Sequence, residues 1–227
     1  NTLIGSLAGD ALTDADYNVA FGVAALGTDT KGSKSVAIGN SALLRQNFTT
    51  ATDSLNIAIG YDAGSNVTTG VRNVLIGAEA GDALTDADNN IAIGKGALSA
   101  DTLGSNSIAV GRNALLAQNF TTATSANNVA IGDHAGSAVT TGQQNTLIGG
   151  EAGDAFTDAD FNVGLGYRAL STDTKGSKSV AVGNGALFAQ NHTTSTDALN
   201  TAVGFEAGVS VTTGIANTFL GAQAGDA

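Results

Sequence analysis

The residues best suited to chemistry are an acid and a histidine side by side in the stretch NVAIGDHAG, which runs from Asn128 to Gly136. Asp133 and His134 could form a general acid–base pair, because imidazole titrates near neutral pH and a carboxylate can orient it. Catalysis of this kind needs partners in fixed places, yet the equivalent positions elsewhere hold unrelated residues such as Tyr61-Asp62 and Lys95-Gly96. We therefore expect both residues to lie in an exposed turn and predict no catalytic residue.

A second candidate is an acidic motif that occurs three times. Closely spaced carboxylates suit a hard cation such as Ca²⁺, but the motif lacks the glycine frame of known calcium loops. Paired carboxylates can also hydrolyse glycosidic bonds, although three equal copies are unusual for an enzyme. Solvated turns are the favoured interpretation, so we predict no metal and no cofactor. The motif consists of Asp10, Asp14 and Asp16, then Asp82, Asp86 and Asp88, then Asp154, Asp158 and Asp160.

These residues sit in a tandem repeat, which determines the fold. The opening sequence NTLIG returns in similar form every 72 residues, giving units 1–72, 73–144 and 145–216 and a partial unit 217–227. Within a unit, a nine-residue segment recurs at spacings of 17, 17, 21 and 17 residues, so the chain holds thirteen such segments. Position five is glycine and position eight is alanine in every segment. We therefore treat residues 1–227 as a single solenoid array.

Each segment predicts one short strand that ends in a turn. Positions two and four are mostly β-branched and share one face of the strand, while position three lies on the other face. Frequent glycine disfavours a helix. We therefore predict an all-β, parallel β-roll or β-solenoid, with two short strands in each coil and a length of roughly 60 Å.

Position three raises the question of assembly. It is apolar or glycine in every segment, and a strand that is apolar on both faces is usually buried on both. A thin coil encloses little volume, so we expect neighbouring chains to cover the position-three face.

Three segments carry a family resemblance: SVAIGNSAL from Ser35, NIAIGYDAG from Asn56 and NIAIGKGAL from Asn90. They resemble the YadA-like head repeats of trimeric autotransporter adhesins, which are also found in phage tail-fibre proteins. The resemblance implies a left-handed roll, three identical chains about one axis, and attachment outside a cell or virion.

The 21-residue spacing adds four residues to each unit and predicts a loop that leaves the solenoid. Loops on rigid scaffolds often make contacts. This loop could lock neighbouring chains together or bind a ligand. The possible surface-contact residues are Asn47, Phe48 and Thr49, then Asn119, Phe120 and Thr121, then Asn191, His192 and Thr193.

Composition excludes several classes of function. The net charge is −11 with only nine lysines and arginines, so binding to nucleic acid is not expected. No apolar run approaches the roughly 18 residues of a membrane span, so insertion of this segment into a membrane is not expected either. The absence of cysteine excludes disulfides and thiolate metal sites. We predict a non-enzymatic fibrous attachment protein: a homotrimer on a cell surface or virion that binds a host protein or glycan and continues end to end in a longer fibre. The alternatives are a structural stalk or extracellular filament without a receptor and, less favoured, a polysaccharide-degrading tailspike.

Overall fold

The computed structural model describes residues 1–226, and within them every regular element is a β-strand. The strands are β1 Thr2–Ile4, β2 Val19–Phe21, β3 Gly32–Ser33, β4 Val36–Ile38, β5 Thr52–Asp53, β6 Ile57–Ile59, β7 Val74–Ile76, β8 Ile91–Ile93, β9 Gly104–Ser105, β10 Ile108–Val110, β11 Thr124–Ser125, β12 Val129–Ile131, β13 Thr146–Ile148, β14 Val163–Leu165, β15 Gly176–Ser177, β16 Val180–Val182, β17 Thr196–Asp197, β18 Thr201–Val203 and β19 Thr218–Leu220.

The chain divides into two compact units, each of which is a parallel β-solenoid. The first comprises Asn1–Ser107 and Asn119–Ser125, and the second comprises Ile108–Gln118 and the residues from Ala126 onward. In the first unit β1, β2, β4, β6, β7 and β8 pair in parallel in that order. In the second unit β10, β12, β13, β14, β16, β18 and β19 do the same. The predicted all-β solenoid with coils of about 17 residues is confirmed.

One detail of the coil differs from prediction. Most coils carry a single three-residue strand and not two. A second, two-residue strand forms only around the 21-residue spacing, where β3 pairs with β5, β9 with β11 and β15 with β17. The rest of each coil is a series of turns, because many residues with φ near +60° interrupt any extended stretch.

The glycine at position five is required by the stacking of coils. Gly132 has a φ of +140°, and a Cβ added there would lie 2.5 Å from the carbonyl oxygen of Gly149 in the next coil. Gly149 is in the same situation against Gly166. Coils at the spacing of paired strands, about 4.8 Å, therefore leave no room for a side chain at this position.

Position one supplies a buried ladder of asparagines. Asn145 accepts a hydrogen bond at Oδ1 from the backbone N–H of Asn162 (3.0 Å) and donates from Nδ2 to the carbonyl of Ala159 (2.7 Å). Asn128 makes the equivalent bonds to Asn145 and Gly142. Both side chains are fully buried. The ladder satisfies backbone groups that the turns leave without partners.

The core lies on the position-three face of the strands. Ala58, Leu75, Ala130 and Leu147 have no solvent exposure, and the alanines at position eight are buried in the same way except in the first and last segments. The expectation that neighbouring chains cover position three is therefore wrong, because the turns of the same chain fold back over that face.

Core packing also explains why the repeat spans four coils. Where position three is leucine, position nine is glycine in the same coil and in the preceding coil, which leaves space for the leucine side chain. A Cβ on Gly64 would lie 2.6 Å from Leu75, and a Cβ on Gly81 would lie 2.7 Å from the same side chain. Coils with alanine or glycine at position three and leucine at position nine, such as Leu98 and Leu170, fill the equivalent volume from the other side. Close packing thus fixes the order of large and small residues within the 72-residue unit.

Candidate functional site

The outward face of the strands is the main candidate for interaction. It carries positions two and four, and no residue at those positions is charged in any segment. Phe21, Ile131 and Leu165 at position four are 54, 38 and 43% exposed. Strand follows strand in each unit without a shift in register, so the side chains at position four form a continuous apolar strip on each unit. The strip is bordered at position two by β-branched side chains, which include threonines such as Thr146 and Thr201. Contiguous exposed apolar surface of this kind usually marks an interface.

Asp133 and His134 lie in an exposed turn on a solenoid coil, and both are tied to neighbouring side chains. Arg112 donates two hydrogen bonds of 2.8 Å to the carboxylate of Asp133, and these bonds lower the pKa of Asp133. The His134 ring has Nδ1 3.2 Å from Asp133 Oδ2 and Nε2 3.2 Å from the amide of Asn113. Both ring nitrogens are thus occupied, and among residues 1–226 no hydroxyl group is hydrogen-bonded to the ring. The arrangement links coils and does not resemble a catalytic pair.

The predicted contact loops need correction at their central residue. Asn47, Asn119 and Asn191 are exposed, as are Thr49, Thr121 and Thr193. In contrast, Phe48, Phe120 and His192 are 6, 5 and 5% exposed and point into the solenoid. These three residues anchor the loop because each packs beside a buried aspartate of the preceding coil. Contact with a partner through the exposed asparagines and threonines stays a prediction.

The buried aspartate is a structural centre that sequence reasoning missed. Asp29 is fully buried. Its carboxylate accepts hydrogen bonds from the N–H of Gly32 (3.0 Å), the N–H of Phe48 (3.1 Å) and the amide of Gln46 (2.6 Å). Gln46 in turn accepts a bond of 2.8 Å from Asn56. Position one of this coil is Ser35, whose side chain is too short to continue the asparagine ladder. Gln46 supplies the acceptor for Asn56 instead.

His192 replaces phenylalanine in this anchor and leaves a polar atom unsatisfied. Its Nδ1 is 3.5 Å from Asp173, whereas its Nε2 is buried without a hydrogen-bond partner among residues 1–226. We expect His192→Phe to raise the free energy of unfolding by about 1 kcal/mol, because an orphaned polar group is removed and the ring is retained. Chemical denaturation measures the change. Phe120→His is the matched reverse substitution and should destabilise; equal effects of the two changes would contradict the explanation.

The acidic motifs form turns that hydrogen-bond to the neighbouring coil. Asp88 accepts a bond from the N–H of Val71 (2.8 Å), and Asp160 accepts one from the N–H of Gln143 (2.7 Å). Among residues 1–226 no group of three or more acidic or histidine side chains is arranged to hold a metal ion. Calcium binding by these turns stays untested.

Asp154 gives a prediction for the dependence of stability on pH. Its Oδ1 is buried without a partner, and burial, aided by the charge of Glu151, raises the pKa of its carboxyl. A raised folded-state pKa means that the ionised carboxylate destabilises the fold at neutral pH. We expect Asp154→Asn to raise the melting temperature at pH 7. The advantage should disappear as the pH falls to about 3, below the ordinary aspartate pKa, where the carboxyl is largely protonated in both states. A constant advantage across this range would contradict the assignment.

Comparison with protein-family models, curated proteins and solved structures finds no match for this chain. Within residues 1–226 there is no helix that could span a membrane. Function is therefore inferred from the residues and their geometry.

Proposed function

We propose that this chain is part of a fibrous attachment protein whose chains associate in threes through the outward strand face. The observation that carries the proposal is the uncharged, partly exposed strip formed by position four, with position two at its border, on consecutive strands. Apolar groups on every coil are costly to expose in a protein that otherwise carries a net charge of −11.

A second copy of the chain is the occupant that fits this strip best. The strip repeats with the spacing of one coil, and only a partner with the same repeat can match it over many coils. Isologous or cyclic association of identical chains satisfies that requirement. The similarity of the segments to YadA-like head repeats supports three chains and a location outside a cell or virion.

The attachment role follows from multiplicity. Side chains at positions six and seven vary from coil to coil on a constant scaffold, so a trimer would display many different weak contacts in a fixed array. Avidity then replaces a single deep pocket. A non-enzymatic role is part of the proposal, and a structural stalk or extracellular filament is its alternative.

The double substitution Ile131→Lys with Leu165→Lys tests the proposed interface and supplies the dissociated protein for the attachment experiment. Each lysine can be solvated in a single chain, so folding by circular dichroism should be unchanged, while three facing sets of lysines should dissociate the trimer. Thr141→Lys, at an exposed position off the strands, is the control and should leave the trimer intact. Sedimentation velocity gives the result, and a double variant that sediments like the unchanged chain would contradict the proposed interface.

Attachment is measured with the same proteins. Fluorescently labelled chain should bind saturably to Gram-negative bacterial cells or to cultured epithelial cells, and the dissociated double variant should bind at least about 100-fold more weakly because avidity is lost. A stable trimer that binds neither surface would favour the stalk.

A further inference from the structure

The third 72-residue unit holds a groove whose lining side chains differ from their counterparts in the other two units. Arg168, Gly185 and Glu206 occupy position seven of three consecutive segments, so the glycine leaves a gap between a guanidinium and a carboxylate. Tyr167 and Phe188 form aromatic walls, and the groove encloses about 330 Å³. This volume is at the small end of the range for ligand pockets.

The guanidinium of Arg168 is oriented by three contacts. Its Cζ lies 5.7 Å from the ring centroid of Tyr167 and 5.5 Å from that of Phe188, both within the range of a cation–π contact. Its Nε donates a hydrogen bond of 2.7 Å to Glu151. No other hydrogen bond from the guanidinium is made within residues 1–226, so its terminal nitrogens can donate to a ligand. A site with preordered donors loses less entropy on binding.

The sister units show that the scaffold does not require these side chains. Phe188 corresponds to Leu44 and Leu116, Arg168 to Ala24 and Gly96, and Gly185 to Ser41 and Asn113. The backbone is the same in all three units, with φ near +60° at position seven in each. The aromatic, cationic and acidic groups therefore come together in the third unit although the backbone does not require them.

We propose that this groove binds a neutral sugar ring of a surface glycan. The guanidinium lies over one face of each ring, and the part of the aromatic wall that it leaves free can cover the apolar face of a pyranose. The guanidinium, the Asn184 amide and the Glu206 carboxylate offer both donors and acceptors, which hydroxyl groups can match. Glu151 and Glu206 outweigh the one positive charge of Arg168, so an anionic sugar is disfavoured. This inference rests on the proposed attachment function and names the ligand class of one site.

Saturation-transfer NMR tests the groove with the methyl glycosides of glucose, galactose and mannose at millimolar concentration. At least one glycoside should receive magnetisation from the unchanged chain, and N-acetylneuraminic acid should not compete. Gly185→Asn should abolish the signal by filling the groove; Asn113 occupies the equivalent position with φ of 57°, so the backbone tolerates asparagine. Phe188→Leu should weaken binding about tenfold, and Leu116→Phe in the second unit should have no effect.

Three results would overturn the sugar site: no transfer to any of the three glycosides, equal transfer with Gly185→Asn, or efficient competition by N-acetylneuraminic acid. The mass of each protein, measured in parallel, separates this inference from the proposed function. A trimer without glycoside binding refutes only the groove, whereas a monomer that binds glycosides refutes only the assembly.

Discussion

Gly149→Ala lowers the free energy of unfolding by roughly 3–4 kcal/mol. Two effects add at this position. The residue has a φ of +138°, which L side chains adopt only with strain, and an added Cβ would lie 2.5 Å from the carbonyl carbon of Gly166 and closer still to its oxygen. The clash is with backbone, so the coils can relieve it only by moving apart, which weakens the hydrogen bonds between them.

The neighbouring residue provides a matched control. Gly150 does not have a positive φ, and a Cβ there would come no closer than 3.4 Å to the ring of Tyr167. Alanine already occupies this position in the sister unit, as Ala78. Gly150→Ala should therefore change stability by less than about 0.5 kcal/mol. Urea denaturation gives the free energy of unfolding of both variants, and similar values would refute close stacking at position five.

Asp29→Ala should lower the free energy of unfolding by about 3–5 kcal/mol, because two buried backbone N–H donors lose their acceptor and a third donor, a side-chain amide, loses its shortest hydrogen bond. Those donors are the N–H groups of Gly32 and Phe48 and the amide of Gln46. Without Asp29 to hold it, the Gln46 side chain should also bond less well to Asn56. The asparagine ladder should therefore weaken where it crosses the 21-residue spacing.

Asp53→Ala is the control for charge. Asp53 is exposed, and within residues 1–226 its carboxylate pairs only with Lys34, at 2.6 Å. A surface ion pair contributes little to the free energy of unfolding. Thermal melts of the two variants should differ clearly, and amide hydrogen exchange should show faster exchange around Gly32 in Asp29→Ala alone. If Asp29→Ala and Asp53→Ala lower the melting temperature by equally small amounts, Asp29 does not organise the loop.

The coil could be predicted from sequence because its rules are local. The alternation at positions two to four predicts a strand, and the glycine at position five predicts close stacking of coils. Both features are present within one segment such as Asn128–Gly136. Which face of the strand is buried is harder to predict. Both faces are apolar, so alternation alone does not say which one is inside. The pairing of Leu75 with Gly64 and Gly81 carries that information, because large and small residues complement each other only when they share a core.

The loop and the turns show two other limits. Asp29 and Gln46 recur in all three units at the place where Ser35 interrupts the asparagine ladder, and this coincidence could have identified the buried centre. The left-handed residues give no such signal. Arg168 and Glu206 adopt φ of +57 and +52°, although neither is a residue type that favours this conformation. Backbone bonds to the preceding coil impose it, and those are not visible in the sequence.

We propose that the outward strand face is an interface between identical chains. Sedimentation equilibrium of the unchanged protein tests it most directly. We predict a single species with three times the 22.2 kDa mass of the chain, stable to dilution. A monomer at micromolar concentration would contradict the trimer and leave the apolar strip without an explanation.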